Sequence, residues 1–120
     1  MRRIIIILGL LSGPAMAADQ FDLVCRARQV QEHYRVDLTN EQWCAGDCDR
    51  IRDIIDISPE EIVLDDHEPT FGGDYRGWIR VDRTSGYWTW YNSGAQGVGR
   101  LDVNGTCKIA PYSGMPPPER

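Results

Sequence analysis

Lysine is nearly absent from this chain, with one residue against twelve arginines. A polybasic arm that would track phosphates or anionic lipid is therefore excluded, and the acidic balance points the same way. The formal net charge is −5 over 120 residues. Once Arg2 and Arg3 leave with the leader described below, 11 basic side chains face 18 acidic ones, a net of −7. Neither nucleic acid nor a membrane surface is an expected partner. Also missing is an apolar run near the roughly 20 residues that a bilayer-spanning helix needs. Repeats and heptads are absent as well.

Histidine occurs only twice, and there is no G-x-S-x-G elbow, no H-E-x-x-H and no framed pair of carboxylates. Catalysis is not expected, nor is a cofactor or a metal. Four thiols at positions 25, 44, 48 and 107 lack the paired short knuckles of a structural zinc site. The C-x-x-x-C spacing of Cys44 and Cys48 is one residue too long for a C-x-x-C redox centre.

What is present begins with an export pattern. Arg2 and Arg3 form a positive start, Ile4 to Leu11 an eight-residue apolar stretch, and Ala15-Met16-Ala17 a small-x-small cleavage signal. Cleavage between Ala17 and Ala18 by the general secretion route is expected, with the protein in the periplasm or secreted. Ala18 stands where a lipoprotein needs cysteine, so the mature chain is expected free of the membrane. Residues 18–120 suffice for one small domain. The expected organisation is a signal peptide (1–17), a β domain (18–110) and a Pro-rich flexible tail (111–120), in a monomeric protein.

In an oxidising compartment an even cysteine count reads as disulfides. Three pairings are open. Gly46 lets the backbone fold back between Cys44 and Cys48, which favours that pair and leaves Cys25 with Cys107. Closing the long loop is then worth about 4.5 kcal/mol and the short one about 2 kcal/mol in the chain-entropy model.

Period-two patterning dominates and argues for strands. The first runs are Phe21 to Cys25 and His33 to Leu38, the second with Tyr34, Val36 and Leu38 on one face. Ile54 to Ile57 and Glu61 to Leu64 flank a Ser58-Pro59-Glu60 turn, although Ile51, Ile54 and Ile55 also fit one helical turn. Residues 100–109 read as a hairpin with a three-residue loop from Asn104 to Thr106 and Gly105 at positive φ, which puts Leu101, Val103, Cys107 and Ile109 on one side. A second hairpin turns at Arg83-Thr84-Ser85-Gly86, and a four-residue loop pairs Val81 with Trp88 and Ile79 with Trp90. A three-residue loop would instead bury Tyr87, Thr89 and Tyr91. The expectation is an all-β fold: a single antiparallel meander of six to eight strands, curled into a barrel or sandwich and stapled by disulfides. Pairing Cys25 with Cys107 makes the first and last strands neighbours.

In the preferred register Trp78, Arg80, Tyr87 and Tyr91 face outward, and rings beside a guanidinium make a contact surface for a protein, a glycan or a small ligand. In the other register the patch is Trp78, Arg80, Trp88 and Trp90. Asp65, Asp66, His67 and Glu68 read as a solvated acidic turn, since consecutive residues point apart, and His33 as a surface imidazole. Gly72-Gly73-Asp74 and Gly94 to Gly99 lack the strand-loop-helix setting of a phosphate cradle.

With FDLVC, YRVDL, WCAGDC, RVDRTSG and GTCKIAPYSG in order, the chain resembles small exported proteins of Gram-negative bacteria, a likeness that covers nearly the whole mature region and implies no particular activity. Ser85-Gly86-Tyr87-Trp88-Thr89-Trp90-Tyr91 also resembles part of the periplasmic inhibitors of c-type lysozyme. Those are small disulfide-stabilised β-barrels in which a Ser-Gly hairpin leads into a Tyr and Trp strand and then a Lys-Gly. Here Asn92-Ser93-Gly94 stands in the lysine's place. That resemblance implies inhibition of lysozyme.

Overall fold

Alternating apolar residues on successive short strands bury one face of a single curled sheet. The computed structural model describes residues 18–67, 76–93 and 100–116. The expected leader, Glu68, the glycine loops at 72–74 and 94–99 and the last four residues lie outside the described ones. Nine antiparallel strands form the sheet: β1 (Gln20–Arg26), β2 (Gln31–Asp37), β3 (Gln42–Ala45), β4 (Arg52–Asp53), β5 (Asp56–Ile57), β6 (Glu61–His67), β7 (Arg76–Asp82), β8 (Tyr87–Ser93) and β9 (Arg100–Ala110). Their order is β4-β3-β2-β1-β9-β8-β7-β6-β5, and no helix occurs among the described residues.

The expected all-β meander is therefore the observed one, and its first long strand pairs with its last. Cys25 and Cys107 stand directly opposite each other on β1 and β9 and are joined by a disulfide. A second disulfide joins Cys44 and Cys48 around Gly46, whose φ of +59° makes the reversal. The outermost strands of the order, β4 and β5, are separated in sequence only by Ile54 and Ile55. The Ile54 amide donates to the Glu41 carbonyl on the β3 side, and the Ile55 amide donates to the Val63 carbonyl on β6. One short segment thus bridges both edges of the curled sheet, which shields ladder groups that would otherwise be bare. The helical turn considered for residues 51–55 is replaced by this extended crossing.

The enclosed side carries the core. Phe21, Leu23 and Cys25 of β1 meet Tyr34 and Val36 of β2, Trp43 of β3, Ile62 and Leu64 of β6, Ile79 and Val81 of β7, Trp88 of β8, and Val103 and Cys107 of β9. Trp88 is fully buried. The β7–β8 hairpin has the expected register, Val81 opposite Trp88 and Ile79 opposite Trp90. Its four-residue loop is held by the Asp82 carboxylate, which accepts the amides of Thr84 and Ser85, each at 2.8 Å. Gly86 closes the loop at φ +82°.

Two expectations are corrected. Residues 100–110 do not turn: β9 is one continuous strand that pairs through its first part with β8 and through its last part with β1. An unbroken strand already sets 101, 103, 107 and 109 on one face, so the apolar grouping needed no loop. Gly105 is not at positive φ. It is a glycine because the Arg26 carbonyl occupies the place of its Cβ. Asp65, Asp66 and His67, expected in a solvated turn, lie within β6 and pair with Ile79, Trp78 and Gly77.

Residues 111–116, from the segment expected to be a flexible tail, run across the outside of β1, β2 and β3. The Ser113 amide and hydroxyl donate to Asp22 at 3.1 and 2.7 Å. Arg35 donates to the Gly114 carbonyl at 2.9 Å, and the Met115 sulfur lies 3.6 Å from Cys44 Sγ. Asp22, Arg35 and Cys44 are opposite one another in the ladder, so three consecutive tail residues step over three adjacent strands.

Candidate functional site

A β-bulge in β6 decides which acidic residues face which side. Val63 opposes Arg80, but Asp65 opposes Ile79, which leaves Leu64 as the extra residue. Without it the alternation from Ile62 would turn Asp66 inward. With it Asp65 and His67 face the enclosed side while Asp66 joins Trp78 outside.

On the outside, Asp66, Trp78, Tyr91 and Asp102 form one cross-strand row. Trp78 and Tyr91 stack with centroids 4.5 Å apart and planes 21° from parallel. Arg76 and Arg80, two positions either side of Trp78, lie over its ring at 4.9 and 5.0 Å. Both reach the Asp66 carboxylate at 3.2 Å. Arg76, Arg80 and Asp66 thus form one ion-paired group around the Trp78 ring, with Asp102 at the end of the row. The Nε–H of Arg80 is shielded from solvent and has no acceptor among the described residues. Of the residues singled out from the sequence, the structure brings Trp78, Arg80 and Tyr91 together. Tyr87, the fourth, is at the other end of β8 and donates to the Asn104 side chain at 2.9 Å. Arg76 and Asp66 were missed, although Arg76 shares parity with Trp78 and Arg80 and was readable in principle.

The inner side carries a second grouping that the sequence did not suggest. A cavity of about 270 Å3 opens between β2, β3, β6, β7 and β8. Tyr34, Trp43 and Trp90 wall it, and Glu32, Asp65 and Arg52 are among its charged residues. Tyr34 meets Trp43 and Trp88 edge-on at 5.7 and 6.2 Å. Arg52 lies 5.2 Å over the Trp43 ring and 4.0 Å from the Asp65 carboxylate, and His67 Nδ1 lies 3.3 Å from Asp65. The imidazole sits against Gly77, where a Cβ would meet it at 3.0 Å. Burial raises the pKa of the Tyr34 hydroxyl, and the Glu32 carboxylate adds to the rise while the nearby Trp88 indole opposes it. Neither the Tyr34 hydroxyl nor the Trp88 N–H forms a hydrogen bond of acceptable geometry. Burial also raises the Glu32 pKa. A larger depression, about 650 Å3, lies between the 27–30 turn and β9 but has no aromatic wall.

Asp22, His33 and Ser113 form the third grouping. His33, read from sequence as a surface residue, is half exposed and places Nε2 at 2.8 Å from the Asp22 carboxylate. Asp22 is the hub and takes the Ser113 hydroxyl directly. A nucleophilic serine needs the imidazole between hydroxyl and carboxylate, and that order is not present in this set. Burial alone would raise the Asp22 pKa, but hydrogen bonds from Ser113 and His33 outweigh it and hold the carboxyl below its ordinary value.

No group of three or more potential metal ligands occurs among the described residues. Likewise, no helix there is long and apolar enough to cross a membrane. No family model, curated protein or solved structure matches the chain.

Proposed function

We propose that this is an exported, non-catalytic interaction module that meets a protein partner through the outer face of β7 and β8. The observation that carries the reading is the Arg76-Trp78-Arg80 row. An indole held by two guanidiniums and a stacked tyrosine is a rigid, part-exposed anchor of the kind that dominates binding energies, and little side-chain entropy remains to be lost on contact. The two disulfides agree with an oxidising compartment, and a leader cleaved between Ala17 and Ala18 would deliver the chain to the periplasm.

The test is the mature protein beside its W78A/R80A variant, both checked for native circular dichroism, used as bait for envelope proteins. The partner recovered by the wild type should bind the variant at least about tenfold more weakly in titration with both components pure. Equal affinity of the two forms for every recovered protein rejects the reading.

A second reading, inhibition of c-type lysozyme, draws on the exposure of Thr84, Ser85 and Tyr87 at the tip of the β7–β8 hairpin, the segment that carries the resemblance. Stoichiometric loss of lysozyme activity would favour it, and a flat titration discards it.

A further inference from the structure

On the side of the sheet opposite the outer Trp78 cluster, the cavity walled by Tyr34, Trp43 and Trp90 has the makings of a ligand site in its own right. At about 270 Å3 it falls just under the range of roughly 300 to 1,000 Å3 usual for drug-sized ligands, which suits a single small ring. Tyr34 is only 1% exposed and its hydroxyl is shielded beside the Trp88 indole, so it serves as a wall of the cavity and not as a contact for a ligand.

The chemistry of the walls separates ligand classes. An organic cation would compete with Arg52, which already lies over the Trp43 ring and beside Asp65. An anion would face both Glu32 and Asp65 with only Arg52 and a histidine to offset them. A purely apolar molecule would strip water from these charges and return no hydrogen bonds. A neutral ring bearing several hydroxyls meets none of these objections. Its C–H face can lie on the half-buried Trp90 indole, which leaves Arg52 over Trp43, while its hydroxyls both donate to the carboxylates and the Asn92 carbonyl oxygen and accept from Arg52 and the Asn92 amide. We infer that the inner cavity binds a neutral saccharide, one sugar ring at a time, against Trp90 and beside Trp43. This site is independent of the outer face proposed for the partner.

Isotope-labelled mature protein titrated with glucose, galactose, N-acetylglucosamine and its β-1,4 disaccharide, at millimolar concentrations, tests the inference through the indole N–H signals. Choline and inorganic phosphate serve as the cationic and anionic probes. At least one sugar should move the Trp43 and Trp90 signals in a saturable way, while choline and phosphate leave them in place. Trp90→Ala should weaken that sugar about tenfold or more, and Trp78→Ala should leave its affinity unchanged. Asn92→Ala, a substitution at a half-buried strand-end position, should weaken it also and guards against misfolding of the tryptophan variant. If no sugar moves these signals, if choline or phosphate does so instead, or if a sugar moves Trp78 alone, the inference is overturned. None of these results bears on whether the Trp78 face binds a protein.

Discussion

Asp22 is the residue on which distant parts of the chain depend. It accepts from Ser113, 91 positions away, and from His33 on the adjacent strand, and it is almost fully buried. Its pKa is depressed in the folded protein, so the stability it contributes is complete above the unfolded value near 3.9 and is lost as pH falls through the lower folded value. Asp22→Asn should destabilise the protein by about 1–3 kcal/mol at neutral pH, where the native carboxylate accepts charge-assisted hydrogen bonds. Urea melts followed by tryptophan fluorescence should show this gap narrowing between about pH 5 and pH 2, as the wild-type carboxyl takes up its proton. A gap of constant size across that range would contradict the assignment. None of this was legible in the sequence, because Asp22 alternates correctly for an outward, solvated strand position. Its partner lies in a proline-rich segment whose composition argues for looseness. Burial here comes from the crossing tail, and neither strand periodicity nor local composition encodes a crossing.

Among the elements, β8 was readable and β9 was not, for the same physical reason. Face parity favoured the β7–β8 register because bulky residues sit on both strands, and of the three- and four-residue loops only the latter gathers Val81, Ile79, Trp88 and Trp90 together. The same parity argument applied to residues 100–109 selects a three-residue turn around Asn104-Gly105, although a straight strand, which was not considered, satisfies it equally well. The glycine instead answers a contact with the Arg26 backbone, which only the fold reveals. Gly105→Ala should therefore cost about 2–3 kcal/mol through the forced separation of β1 and β9. Asn104→Ala, at an exposed position, should cost less than about 1 kcal/mol. Chemical denaturation of the two variants checks the order, and a more damaging change at 104 would restore the turn. The bulge at Leu64 was equally hidden. It alone sends Asp65 and His67 to the cavity and Asp66 to Trp78, so the inner candidate site could not be assembled from the strand pattern, although Trp43 and Trp90 were in plain view.

At the scale of the molecule, both the fold class and the cross-links were legible. Even cysteine count, the glycine between Cys44 and Cys48, and short alternating runs each constrain the chain independently, and the structure satisfies them together. The two disulfides should differ in weight. Replacing Cys25 and Cys107 by serine frees a separation of 82 residues, about 4.5 kcal/mol in the chain-entropy model. The same change at Cys44 and Cys48, four apart, frees about 2 kcal/mol. Denaturation midpoints of the two double variants should fall in that order, and a larger loss from the short loop would show that native-state effects dominate.

The pairing of β1 with β9 also sets a timetable. On the proposed export route the chain leaves a pore N-terminus first and offers β1 and β2 early, yet one flank of β1 stays bare until about residue 106 has emerged, so the wall cannot complete itself piecemeal. Until then the oxidase that joins Cys25 has Cys44 and Cys48 within reach and its true partner still behind the pore. Wrong bonds formed in that interval must be undone by thiol exchange, so maturation of this small protein should depend on an isomerase as well as an oxidant.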